Sequence, residues 1–98
     1  MRKYISDYKL ELGIPEWVDT DTRETLVDRY EHDKAEAWVE MHENPDTLED
    51  FYIAFDPVQS DDETDDVICA STDFVECCEA VAKRFGYTED WCNFEEMN

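Results

Sequence analysis

The sequence predicts a mainly α fold, a small single-domain helical bundle with an acidic surface. Three observations point there. Apolar residues between Leu26 and Met41 recur at spacings of three and four, residues 73 to 86 carry matching start and stop signals of a helix, and 98 residues leave room for one modest core. The competing expectation is α+β, with a short antiparallel hairpin formed by residues 51–55 and 67–70.

Residues 4 to 12 fit two templates. Tyr4, Ser6, Tyr8, Leu10 and Leu12 alternate like a strand, while Ile5, Tyr8 and Leu12 keep helical spacing; Gly13 and Pro15 end the element either way. The next element is a helix expected from Thr20 to Thr22, whose short polar side chains cap, to about Glu43. Its apolar residues Leu26, Val27, Tyr30, Ala37, Trp38 and Met41 gather on one face. Acids flank that face, Glu24, Asp28 and Glu31 in one stripe and Asp33, Glu36, Glu40 and Glu43 in another.

Asn44-Pro45-Asp46-Thr47 has the form of a helix start, with Asn44 as cap and Pro45 at the first helical position. Leu48, Phe51, Tyr52 and Phe55 then form its buried side, unless Phe51 to Phe55 is instead a strand pairing with Val67 to Ala70. Asp56-Pro57 breaks the element, and residues 59 to 66 form a solvated acidic loop. The last clear helix runs from about Asp73 to Phe85. Thr72 or Asp73 caps it, Glu76 lies in its first turn, Lys83 and Arg84 in its last, and Gly86 just beyond. Thr88 to Trp91 opens a short final turn from which Trp91 and Phe94 pack back. No repeat and no linker divides the chain, so residues 1–98 are read as one acidic domain.

Charge is the dominant compositional fact. The chain holds 28 Asp and Glu against 8 Lys and Arg, a formal charge of −20. From Ala35 to Ala82, 48 residues pass without a lysine or arginine while 15 carboxylates accumulate. A hydrophobic fraction of 42% with 13% aromatics is too rich for a disordered acidic tail. Bare nucleic acid and anionic membranes are repelled by such a chain, which leaves a basic surface as the attractive partner. No apolar run approaches membrane-spanning length and no signal peptide is recognisable, so a cytoplasmic location is expected. Without export signals, Cys69, Cys77, Cys78 and Cys92 are expected as reduced thiols.

Metal and catalytic chemistry find little support. Asp61, Glu63 and Asp65 have the spacing that opens an EF-hand, but Asp66 stands where glycine is needed and Thr72 where the bidentate glutamate belongs. The cysteines, His32 and His42 lack the paired spacing of a structural zinc site, and Cys77 and Cys78 share a helical face with Phe74, Val81 and Phe85, which makes them packing residues. The two histidines fall ten residues apart on the expected helix, too far to share a site. Two glycines cannot build a phosphate cradle, so no enzyme, no cofactor and no metal are expected. Trp38, Phe51, Phe55, Phe74 and Phe85 are assigned to the core; Trp17, Tyr52, Tyr87 and Trp91, near acids, are the candidates to anchor an interface.

In size, charge and distribution of acids the chain resembles the small acidic proteins of phages and mobile elements that oppose host defence, the DNA-mimicking anti-restriction and anti-CRISPR proteins. No motif underlies the resemblance, and no residue role is carried over from it. It implies a noncatalytic inhibitor in the host cytoplasm that occupies the basic nucleic-acid groove of a CRISPR effector or restriction enzyme. A compact domain of this length is about 30 Å across, and about 30 Å of duplex carries somewhat under twenty charges, close to the protein's own. The carboxylates expected at the partner are Glu36, Glu40, Glu43, Asp46, Glu49, Asp50, Asp61, Asp62, Glu63, Asp65 and Asp66, because no basic residue interrupts them. A homodimer would lengthen the mimic and is left open. The alternatives are an acidic adaptor unrelated to nucleic acid and a salt-adapted protein.

Overall fold

Strands, not helices, form the middle of the chain. The computed structural model describes residues 9–18, 26–32, 37–56, 67–86 and 94–96. A short helix α1 (Lys9–Leu12) is followed by β1 (Leu26–His32), β2 (Trp38–Glu43), β3 (Asp50–Phe55), β4 (Val67–Ser71), helix α2 (Phe74–Phe85) and β5 (Phe94–Glu96). The strands make one antiparallel sheet in the order β4-β3-β2-β1-β5. The radius of gyration is 12.8 Å.

The expected helical bundle is therefore corrected to a mainly β fold, and the helix expected from Thr20–Thr22 to Glu43 is in fact β1 and β2. Its helical spacing was misleading because β2 is buried on both faces. Val39 enters one hydrophobic cluster and Trp38 packs against the other, while Glu40 and His42, buried on the Trp38 side, leave no polar face. β3 shows the same division more cleanly. Phe51, Ile53 and Phe55 point to one cluster, Tyr52 and Ala54 to the other, so a continuous apolar run is the mark of a strand covered twice. The pairing of β3 with β4 is the hairpin of the alternative reading, with Tyr52 opposite Ser71 and Ala54 opposite Cys69.

Two layers cover the sheet. On one face Ile14 and Val18, with Leu12 and Trp17, pack on Phe51, Ile53 and Phe55; the Trp17 and Phe51 rings meet edge to face at 6.4 Å. On the other face α2 brings Cys77, Val81, Phe74 and Phe85 against Val39, Ala54, Tyr30 and Tyr52. A register shift between Ala54 and Phe55 lets the consecutive residues Ile68 and Cys69 both reach the α2 side.

The chain ends of these elements follow local chemistry. Gly13 takes φ +74° after α1, whose helical type settles the ambiguity for residues 9 to 12; residues 4 to 8 lie outside the described residues. α2 keeps every expected end signal. The Asp73 carboxylate accepts from Val75 N–H, Glu76 stands in the first turn and Lys83 and Arg84 in the last, and Gly86 closes the helix at φ +77°. The final turn expected at Thr88 to Trp91 lies outside the described residues.

Candidate partner-binding surface

Asn44 does not start a helix. Its side-chain oxygen accepts from the N–H groups of Asp46 (2.9 Å) and Thr47 (3.4 Å), as an N-cap would, but the chain turns back. Leu48 N–H donates to the Asn44 carbonyl at 2.8 Å and Asn44 N–H to the Glu49 carbonyl at 2.8 Å, closing the hairpin between β2 and β3. The same acceptor geometry serves cap and turn, which is why the sequence signal was genuine and its interpretation wrong.

This turn assembles an acidic end. Glu43 and Asp50 stand directly opposite each other across β2 and β3, and Asp46 and Glu49 project from the connecting turn, exposed. One strand over, Tyr52 opposite Ser71 brings the start of α2 alongside. Ser71 Oγ–H donates to Glu76 Oε2 at 2.9 Å and accepts from Asp73 N–H at 3.0 Å, so Asp73 and Glu76 join the hairpin acids. The Tyr52 phenol lies among them. Partial burial, then Asp50, Cys77 and Asp73, push its pKa up from 10.0.

Arg29, Lys83 and Arg84 are held elsewhere. Lys83 and Arg84 occupy the far end of α2, where Arg84 Nε lies 3.4 Å from Asp56 Oδ2. The Arg29 guanidinium stacks over Trp38 at 3.9 Å from the ring centroid. Like-charged residues facing each other across strands destabilise a sheet. The Glu43–Asp50 pair therefore opposes folding.

The carboxylates singled out from sequence divide into three groups. Asp46, Glu49 and Asp50 are exposed at the hairpin end with Glu43 half-buried beside them. Glu36, Asp61, Asp62, Glu63, Asp65 and Asp66, with the EF-hand-like spacing, lie outside the described residues. Glu40 is a correction: at 2% exposure it faces inward and cannot meet a partner. The stripe joining Glu40 to Glu43 also fails, because alternation on a strand puts them on opposite faces; the same holds for Asp28 and Glu31 on β1. The sequence marks Asp73 and Glu76 as cap and first-turn acids of a helix, within the acidic run of residues 24 to 79 but not among its singled-out carboxylates. Their place beside Asp50 depends on the β3–β4 register, for which the sequence signal was the 51–55 and 67–70 hairpin.

Glu40 belongs instead to a buried polar group that the helical reading did not anticipate. Trp38 Nε1–H donates to Glu40 Oε2 at 3.2 Å, His42 Nε2 lies 3.2 Å from Glu40 Oε1, and Arg29 pairs with Glu40 in register. His32 and His42 sit on adjacent strands rather than on one helix, with His42 opposite Leu26 at the other end of β1 from His32.

Cys69 and Cys77 are in no disulfide, and Cys77 and Cys78 are buried, in keeping with the packing role read from sequence; Cys92 lies outside the described residues. Burial first, then Cys69, Cys78 and Glu76, push the Cys77 thiol well above 9.0, and Cys77 Sγ lies 3.7 Å from the Tyr52 carbonyl. Among the described residues no group of three or more His, Cys, Asp or Glu side chains is placed to hold a metal ion. No helix among them is long and apolar enough to cross a membrane. Compared with protein-family models, curated proteins and solved structures, the chain matches none of them.

Proposed function

We propose that this protein is a noncatalytic inhibitor that acts as a DNA mimic, its acidic end entering the basic groove of a host defence nuclease in the host cytoplasm. One observation carries the reading. Glu43, Asp46, Glu49, Asp50, Asp73 and Glu76 converge from three elements on one end of the fold, with no cation in the chain between Ala35 and Ala82. Neighbouring strands hold opposite side chains about 5 Å apart, a spacing comparable to that of successive phosphates on a nucleic-acid strand. Phosphate contacts dominate the affinity of groove proteins for DNA and need no base reading, so a rigid row of carboxylates suffices to compete. Like charges held together at a cost to stability support a surface kept for binding.

The test is a salt-eluted capture of the target from host lysate, followed by competition with duplex DNA. The target is expected to release the protein as duplex is added, and a variant with Asp46, Glu49, Asp50 and Asp73 changed to Lys should fail to bind while keeping its circular dichroism spectrum. A captured partner that binds duplex and this protein at once, or a folded four-lysine variant that inhibits as before, defeats the proposal.

A further inference from the structure

The two margins of the sheet are built differently. β5 is three residues long and two of them are glutamate, the short charged form in which natural sheets protect an edge. β4, the opposite margin, is Val67-Ile68-Cys69-Ala70-Ser71, with neither charge nor proline. Its side chains are all half-buried, held by the layers on either face. β4 pairs with β3 on its inner side, and among the described residues its outer row of backbone groups has no hydrogen-bond partner.

Acids flank this strand in the sequence. Asp65 and Asp66 precede Val67 in the chain, and the exposed Asp73 and Glu76 follow Ser71. A second copy aligned antiparallel on β4 would bring the leading acids of one chain against the trailing acids of the other, an arrangement that like charges oppose. A cationic strand meets the opposite condition. We propose that β4 accepts, by strand addition, an extended segment of a partner protein in which a neutral β-forming stretch is flanked on both sides by lysine or arginine. This inference shares Asp73, Glu76 and a basic partner with the proposed function, but the strand pairing itself holds or fails independently of DNA mimicry.

The experiment uses the whole isotope-labelled protein and residue-resolved amide exchange. The probe is a short acetylated peptide of alternating valine and threonine between paired lysines. The outward-facing β4 amides should exchange about tenfold or more slowly in its presence. The same peptide N-methylated at every valine and threonine, which keeps the charge but offers no N–H on either edge, should give no such protection. Three results overturn the proposal: β4 exchange unchanged at every peptide concentration, shifts confined to Glu43, Asp50 and Asp73 with either peptide, or β4 protection that grows with protein concentration alone, which would assign the edge to a second copy. Failure of duplex competition at the captured target would defeat mimicry and leave this protection as it is.

Discussion

His42 Nε2 and Glu40 Oε1 lie 3.2 Å apart in the interior, two residues apart on β2 and therefore on the same face of the sheet. Glu40 is the hub of this contact, since its other oxygen accepts from the Trp38 indole. Removing Glu40 takes away the buried acceptor of the Trp38 indole and the oxygen that His42 contacts, at about 1–3 kcal/mol. Glu40→Ala is expected to lower the unfolding free energy by about that amount in urea titration. Glu40→Gln, which keeps an acceptor for the indole, should cost about 1 kcal/mol. Were Glu40 a surface residue, both variants would melt like the parent.

Leu48 holds φ +64° in the β2–β3 turn with its side chain 67% exposed. The left-handed conformation costs a side-chain-bearing residue about 1–2 kcal/mol, and an exposed leucine contributes no burial to offset it. Leu48→Gly is expected to stabilise the protein by about 1 kcal/mol, a rise in Tm of about 5 °C by scanning calorimetry.

The ends of α2 supply two independent increments. Asp73→Ala removes the acceptor for Val75 N–H and should cost about 1 kcal/mol. Gly86→Ala meets no steric neighbour within 4 Å, so its cost, also about 1 kcal/mol, comes from the φ of +77° alone. The two lie far apart, and the double variant should lose about their sum in the same urea titration.

Salt should act in opposite directions on stability and on binding. The screening length falls from about 30 Å at 0.01 M ionic strength to about 3 Å at 1 M. With a formal charge of −20 the folded chain repels itself, so its Tm should climb as salt is added. Affinity for a basic groove should fall over the same range. A Tm that is flat or falls with salt would show that self-repulsion is not a significant opposing term.

Alkaline pH should destabilise the fold. Cys69 and Cys77 are raised from 9.0 and Tyr52 from 10.0, burial leading in each case. The unfolded chain gives up these protons first, so the folded state binds more of them above pH 9. Their contribution is complete below the unfolded values and is lost as pH rises toward the folded ones. The urea midpoint should hold steady up to about pH 9 and then decline. Cys77→Ala should lower the midpoint and make that decline shallower.

How much of this was legible in the sequence depended on how local the cause was. α2 was readable end to end, because Asp73, Glu76, Lys83, Arg84 and Gly86 act within one turn of where they stand. The β3–β4 hairpin was one of two readings of the apolar run at 51 to 55, and choosing between them required knowing that a layer lies on each face. β1 and β2 were misread because Glu40 and His42, polar by type, are buried by tertiary contacts. The acidic end was legible where it follows the chain, at Asp46, Glu49 and Asp50. It was not where Ser71 ties Glu76 and Asp73 to the neighbouring strand.

The strand order has a consequence for synthesis. β1 to β4 are neighbours in space in the order in which they leave the ribosome, while β5 returns to the first of them. The β1–β2 and β2–β3 hairpins can each close over a short connection as soon as the second strand emerges. Of the described strands, the glutamate-bearing edge is laid down last, onto a platform already assembled.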